Sequence, residues 1–406
     1  MDAARAPHPP LRRRVLLWSA TLAIAAVLAL LTAEVGLRAH EAWQRGRPAP
    51  LPAHLDLLRE NPHGTGSYRL KPNVRLETRV GGRRVLVRTN SHGMPWREVE
   101  VAKAPGRQRV AFLGDSFAFG CWADTVERSL VGVFEDGVSR ARWEALNFGV
   151  GGYGLLDMEL LLREEVLRFS PDYVVIVLFT GNDFRDTFLG LDKERIVNGT
   201  AELDEENVRR RVPPELRAED TRGPRARAEE PRGAARMAVV RRLAPLLGLE
   251  NLALDFAVRR NFTMFSFWQG VPYPPAARAA TDQVLAAILR MRGLAAAQGA
   301  DLGVVALPTA EQVHSARTSG LDYDIGFPQA YVQVFAREQG IPYLDLLPPF
   351  RDDVRERNRR LYVEGDIHLN NRGHALAGRL VADWFRCCVK AGAGPRPPRP
   401  ATSPTP

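Results

Sequence analysis

The sequence predicts an α/β fold, a doubly wound parallel sheet of about five strands, with an N-terminal transmembrane helix ahead of it. Three observations predict it. Short continuous apolar runs recur from Arg109 onward, glycine-rich turns follow several of them, and amphipathic helical patterns lie between. Continuous rather than alternating apolarity marks strands buried on both faces, as in a parallel sheet.

The first element is the apolar helix. Arg12-Arg13-Arg14 close a basic N-terminus, residues 1–14, and precede Val15 to Ala33, which holds no charged residue and only Ser19, Thr21 and Thr32 as polar interruptions. A spanning helix needs about 20 apolar residues and a signal-peptide core only about 7 to 15, so length favours a retained anchor. No small-x-small cleavage site follows it. The contiguous arginines keep residues 1–14 cytoplasmic, although Arg38, Arg45 and Arg47 on the far side weaken the contrast. On this reading the protein is a single-pass protein of the cell membrane, and its bulk lies outside the cytoplasm.

Residues 34–60 read as a polar, proline-bearing tether and 61–108 as a small β element. Val74, Leu76, Thr78 and Val80 alternate with Arg75, Glu77 and Arg79, and Gly81-Gly82 then lead to Val85, Val87 and Thr89, the pattern of a hairpin with a two-residue turn.

Residues 109–390 form the main domain. Its expected strands are Val110 to Leu113, Ala145 to Phe148, Tyr173 to Phe179, Leu302 to Leu307 and Ile341 to Leu346. Expected helices include Leu155 to Arg168, Thr281 to Leu294, and a final one capped by Asn370 or Asn371 and running through Leu376, Leu380 and Trp384. Residues 187–275 exceed any ordinary connection and read as an insertion. Its first half is rich in Arg, Glu and Pro; its second carries Phe262, Phe265, Phe267 and Trp268, better suited to packing the insertion down than to meeting substrate. The proline-rich tail, 391–406, is expected to be disordered.

Composition narrows the function. The 406 residues are 45% hydrophobic and 25% charged, ordinary globular material. A net charge of +9 invites nucleic acid, but the arginines are scattered among glutamates with no basic stripe beside stacking aromatics, which argues against that partner. Cys121, Cys387 and Cys388 match neither a disulfide framework nor a zinc site, and Cys121 reads as a small buried hydrophobe. Nothing in the chain indicates an oligomeric state or calls for a cofactor.

The chemistry-bearing residues fall in four ordered blocks: Gly114-Asp115-Ser116 after the first main strand, Gly152, then Gly181-Asn182-Asp183, then Asp366-Ile367-His368. They supply a hydroxyl, a base, a carboxylate to orient the base, and donors for an oxyanion, the needs of serine acyl chemistry. Among eight histidines His368 stands out, two residues after Asp366 in a loop before a capped helix. His374, one turn into that helix, is better placed to pack. A metal site of Asp366, His368 and His374 lacks a further donor cluster, so no metal is expected.

These blocks resemble blocks I, II, III and V of the SGNH (GDSL-type) hydrolases, and Gly114-Asp115-Ser116-Phe117-Ala118-Phe119-Gly120 is especially similar to the membrane-tethered bacterial branch. Arg88-Thr89-Asn90-Ser91-His92-Gly93 also resembles an element preceding the nucleophile strand there. The resemblance implies a flavodoxin-like sheet with Ser116 as nucleophile, His368 as general base and acid, and Asp366 as its orienting partner. It implies an oxyanion hole of the Ser116 and Gly152 backbone N–H groups with the Asn182 amide. Much of the family places the acid three residues before the histidine, where this chain has Gly365; the spacing of two is common in the tethered branch and leaves Glu364 as a minor rival. The expected activity is hydrolysis of acyl esters, O-acetyl among them, on extracytoplasmic glycans or lipids. Transfer to a sugar hydroxyl would make the same site an O-acyltransferase, and a degenerate site would make it a binding protein. An α/β-hydrolase elbow, Gly-x-Ser-x-Gly, fails at Ala118.

Overall fold

The computed structural model describes residues 18–22, 25–36, 57–64, 68–80, 83–191, 193–197, 200–204, 206, 275–314, 326–357, 359–363 and 366–389. The chain divides into two compact units, Met1–Leu51 with Arg227–Asn261 and Pro52–Ala226 with Phe262–Pro406. The expected basic N-terminus, most of the tether, most of the insertion with its four aromatics, Glu364, Gly365 and the proline-rich tail lie outside the described residues.

In the first unit the described element is helix α1, Trp18–Gly36, with a mean hydropathy of 1.8 and nearly all of its described residues exposed. Its length and composition suffice to cross a membrane, and a signal sequence meets the same test. The expected span Val15 to Ala33 overlaps it; residues 15–17 lie outside the described residues, and the helix runs on to Gly36.

The second unit opens with two short antiparallel pairs. Strands β1 (Leu58–Arg59) and β2 (Arg69–Leu70) pair Leu58 with Leu70. Strands β3 (Arg75–Val80) and β4 (Arg83–Arg88) form the hairpin that the alternation predicts. The main sheet follows: β5 (Gln108–Gly114), β6 (Trp143–Gly149) and β7 (Tyr173–Phe179), then, beyond a β8–β9 hairpin (Glu194–Val197 and Thr200–Leu203), β10 (Asp301–Leu307) and β11 (Tyr343–Asp345).

All four pairings in the main sheet are parallel, in the order β11-β10-β7-β5-β6. The order reverses on either side of β5, so the crevice at the carboxyl ends of β5 and β7 is a topological switch point, where α/β sheets bind ligands. The continuous apolar runs are the core: Val110 to Leu113, Val174 to Phe179 and Val304 to Leu307 are fully buried. Strand β11 is shorter than the apolar run at 341–346, since Pro342 has no N–H to add to the ladder.

Helices α2 (Ser116–Phe119), α3 (Leu130–Gly137), α4 (Leu155–Glu164), α5 (Asp183–Leu189), α6 (Pro275–Ala297), α7 (Ala310–His314) and α8 (Phe327–Glu338) lie between the strands, and α9 (Leu347–Arg357) and α10 (Asn371–Trp384) follow β11. The helical pattern at 155–168 is two elements, α4 and a 3-10 turn at Val166–Phe169. The break falls at Glu165, with φ −127°, whose carboxylate Arg69 holds at 3.0 Å. Asn370 is the cap of α10, accepting from the Arg372 and Gly373 N–H groups.

Candidate active site

Ser116 sits where β5 runs out, at the first position of the four-residue helix α2. Asp115 caps that helix, its Oδ1 accepting the Phe117 N–H at 2.9 Å. The tight passage from strand to helix leaves no room for side chains at two glycines. A Cβ on Gly114 would lie 2.7 Å from Ala118 Cβ, and one on Gly149 only 2.0 Å from the Phe119 backbone nitrogen. Ser116 is therefore held against the sheet end by close backbone packing, with its hydroxyl partly exposed.

The loop before α10 brings His368. His368 Nε2 lies 2.8 Å from Ser116 Oγ, and its Nδ1 lies 2.5 Å from Asp366 Oδ1. The same carboxylate oxygen accepts the His368 backbone N–H at 2.9 Å, so the two-residue spacing closes a small ring that fixes the imidazole. Burial opposes the charge on Asp366, but the hydrogen bonds and charge of His368 and the bond from Trp122 outweigh it and hold its pKa down at about 2. A carboxylate that stays ionised keeps the imidazole tautomer whose Nε2 accepts a proton.

Trp122 is the participant that sequence reasoning missed. Its indole Nε1–H donates to Asp366 Oδ2 at 3.0 Å, and its ring meets the His368 ring edge-on with centroids 6.1 Å apart. Trp122 reaches this position with φ +65°, a left-handed conformation unusual for a bulky residue. The turn is fastened to the His368 side of the site: His374 Nε2–H donates to the Cys121 carbonyl at 3.0 Å, and the Asp124 N–H donates to Asn371 Oδ1 at 3.0 Å. His374 thus packs and ties, as its helical position suggests, while burial pushes the Cys121 thiol well above its ordinary pKa, leaving it a poor nucleophile.

Gly152 and Asn182, the residues expected to donate to an oxyanion, lie in the turns after β6 and β7. Gly152 takes φ +80°, open to glycine without strain, and a Cβ on its neighbour Gly151 would lie 3.9 Å from Ser116 Cβ, so this turn borders the serine. Asn182 opens α5, and its Nδ2 donates to Asp186 Oδ2 at 2.6 Å. That bond fixes which way the amide faces and leaves its second N–H.

Two buried carboxyls flank this region, Asp115 directly before Ser116 and Asp183 at the start of α5. Burial raises Asp115 to about 7 against the pull of the Phe117 N–H and His368. Burial, joined by the charge of Asp115, raises Asp183 well above the ordinary range, although it accepts the Phe179 N–H at 2.7 Å. Among the described residues no group of three or more His, Cys, Asp or Glu is arranged to hold a metal ion.

The five-stranded, doubly wound parallel sheet, with Ser116, His368 and Asp366 brought together at its carboxyl ends, is the SGNH-type fold of hydrolases that act on ester bonds, distinct from the α/β-hydrolase fold with its Gly-x-Ser-x-Gly elbow. The chain belongs to the GDSL-like lipase/acylhydrolase family, whose model matches residues 112–376. Among solved structures it is similar to a lipolytic protein of the G-D-S-L family from Desulfitobacterium hafniense DCB-2, at 15% identity and TM-score 0.36 over 68% of this chain and 99% of that one. It is similar to the acetyl xylan esterase AlAXEase, at 15% identity and TM-score 0.37 over 69% of this chain and 99% of that one. It is also similar to a two-domain esterase active on acetylated mannans, at 14% identity and TM-score 0.36 over 73% of this chain and 53% of that one. No curated protein matches the chain.

Proposed function

We propose that the protein is a membrane-anchored serine esterase that cleaves acyl esters, O-acetyl groups among them, on extracytoplasmic glycans or lipids through an acyl-serine intermediate. The observation that carries the chemistry is the unbroken series Ser116 Oγ, His368 Nε2, His368 Nδ1, Asp366 Oδ1, at 2.8 and 2.5 Å. Ser116 Oγ attacks the ester carbonyl carbon as its proton passes to His368 Nε2. The carbonyl oxygen becomes an oxyanion and collects the N–H groups of Ser116, Gly152 and Asn182. Collapse breaks the bond to the leaving alcohol, which takes the proton from His368. Water then attacks the acyl-serine and gives its proton to His368; collapse breaks the bond to Ser116 Oγ, which takes that proton back from His368, and the carboxylic acid leaves. Asp366 stays ionised throughout and stabilises the imidazolium.

The 19-residue helix α1 supports the anchor, and the arginines at 12–14 support a cytoplasmic N-terminus with the second unit outside. Ser116→Ala is expected to lower turnover of short p-nitrophenyl esters by order 10⁶, to near background. Fluorophosphonate should label the unsubstituted protein and not the variant. Most activity surviving in Ser116→Ala sinks the chemistry. Fusion of alkaline phosphatase after residue 60 should give an enzyme active only outside the cytoplasm; an inactive fusion reverses the topology.

A further inference from the structure

The segment before the main sheet reaches the site from outside the 112–376 family match. Tyr68 stands immediately before strand β2, beside Arg69, at the edge of the turn that bears Gly152. Tyr68 is buried, and its phenol donates to the Gly151 carbonyl at 2.5 Å. That carbonyl and the Gly152 N–H are opposite ends of one peptide unit. A trans peptide is planar, so fixing the direction of its C=O fixes the N–H pointing the other way.

The rest of the segment holds the phenol in place. Tyr153, fully buried, donates its hydroxyl to the Tyr68 carbonyl and accepts from Arg69 Nη1 at 2.7 Å. Arg69 is itself clamped to the end of α4 by Glu164 at 2.6 Å and Glu165 at 3.0 Å. From the other side comes the Asn90–Gly93 turn, where Asn90 Oδ1 accepts the His92 and Met94 N–H groups at 3.0 and 2.9 Å. Gly93, at φ +78°, lies so close to β2 that a Cβ there would stand 2.6 Å from the Leu70 carbonyl oxygen. A glycine turn next to a nucleophile has little to hold its peptide planes; here an appended strand supplies that hold.

We propose that Tyr68 is a positioning residue for the oxyanion hole: by donating to the Gly151 carbonyl it aims the Gly152 N–H at the developing oxyanion, which makes the 57–104 segment a working part of the site. The donor bond also polarises the peptide, so the Gly152 N–H becomes a stronger donor. The inference rests on the reading of Gly152 as an oxyanion donor. Loss of the phenol acts on the transition state far more than on substrate binding, since the oxyanion is absent from the ground state.

Tyr68→Phe in the full-length chain, purified in detergent, tests it, because the ring stays and the hydroxyl goes. With p-nitrophenyl acetate, and rates taken per Ser116 titrated by a fluorophosphonate, kcat should fall about tenfold, a hydrogen bond's worth of transition-state stabilisation, with KM within about twofold. The inhibition constant of phenylboronic acid, whose adduct places an oxygen among the same donors, should weaken in the same proportion as kcat. An unchanged kcat, or a fall in kcat with undiminished boronate affinity, overturns the proposal. Should Tyr68→Phe yield no titratable protein, 3-fluorotyrosine at this position keeps the shape with a more acidic phenol. Its kcat should then decline at lower alkaline pH than that of the unsubstituted protein, and coincident profiles overturn the proposal. Failure of the parent reading is separable: it shows as turnover by Ser116→Ala, whereas an inactive Ser116→Ala beside an unimpaired Tyr68→Phe sinks this inference alone.

Discussion

The indole of Trp122 donates to the carboxylate of Asp366 at 3.0 Å across 244 residues of chain, so the turn after the serine and the loop bearing the histidine share one hydrogen bond. Asp366 has two oxygens. One is spent on His368 through both ring and backbone, and the other is satisfied by Trp122. The bond is one of the causes that hold Asp366 at about 2, and it fixes the carboxylate plane against the imidazole.

Trp122→Phe keeps the aromatic edge beside His368 and removes the donor. One hydrogen bond to a charged acceptor is worth about 1.5–3 kcal/mol, most of it regained here from water at the partly exposed carboxylate, so kcat/KM should fall roughly three- to tenfold. The pKa of Asp366 should rise, so the stability its ionised form contributes should be lost at a higher pH on acidification than in the unsubstituted protein. A kcat/KM profile that superimposes on that of the unsubstituted enzyme would show that Trp122 does not orient Asp366.

Asn182→Ala removes a side-chain donor from the proposed oxyanion site and should slow turnover by about 10²–10³. Asp186 tests the same group indirectly. Its Oδ2 holds the Asn182 amide, while its Oδ1 is engaged by Arg185 at 2.9 Å. Asp186→Ala frees the amide to rotate and should cost about tenfold in kcat. In the double variant the Asp186 effect should vanish, since no amide remains to be aimed; full additivity would mean that Asp186 acts elsewhere.

The sheet was legible because its strands are buried on both faces. Val174 to Phe179 can be nothing but a core strand once its flanking turns are seen, and Ser116, Asn182 and His368 lie next to the glycines and carboxylates that mark them. The Asn370 cap was legible for a local reason, a side chain reaching N–H groups two and three residues on. Trp122 and Tyr68 were not legible. Each acts on a group far away in the chain, and neither has a local pattern: Trp122 depends on a left-handed turn that its own residue type disfavours, and Tyr68 only precedes a strand of two residues. Helix α5 was missed because it starts inside the Gly-Asn-Asp block, where the motif hides the helical period.

Packing makes opposite predictions for two glycines. At Gly149 an added Cβ meets backbone of the Ser116 helix, 2.0 Å from the Phe119 nitrogen and 2.4 Å from the Ala118 carbonyl carbon, and backbone cannot swing aside. Gly149→Ala should destabilise by about 1–3 kcal/mol or more and displace Ser116, so activity falls with Tm. Gly293 is exposed within α6 with nothing within 4 Å of an added Cβ. Gly293→Ala should stabilise by roughly 0.5–1 kcal/mol with activity intact. Thermal unfolding of the pair checks both signs; equal shifts would contradict the packing of α2 on β6.

The carboxyl directly before the serine predicts an unusual stability profile. Burial raises Asp115 from 3.8 to about 7, so between about pH 4 and 7 the folded protein holds a proton there that the unfolded chain has released. Stability rises with pH only where the unfolded state binds more protons; here the folded state does, and Asp115 makes stability fall as pH rises through that window. Asp366 has the opposite sign. Its folded value of about 2 lies below 3.8, so its contribution is present above about pH 4 and is lost as pH falls toward 2. Asp115→Asn keeps an oxygen to accept the Phe117 N–H, as Oδ1 does now, and removes the titration. The difference in Tm between Asp115→Asn and the unsubstituted protein should therefore widen from pH 4 to pH 7 in favour of the variant and level off above. Asp183, raised by burial and by the charge of Asp115, should still titrate in the variant, and Asp183→Asn should act in the same direction. A difference in Tm that stays flat from pH 4 to 8 would mean that Asp115 is ionised next to Ser116 throughout, and that the serine works beside a negative charge instead of a neutral acid.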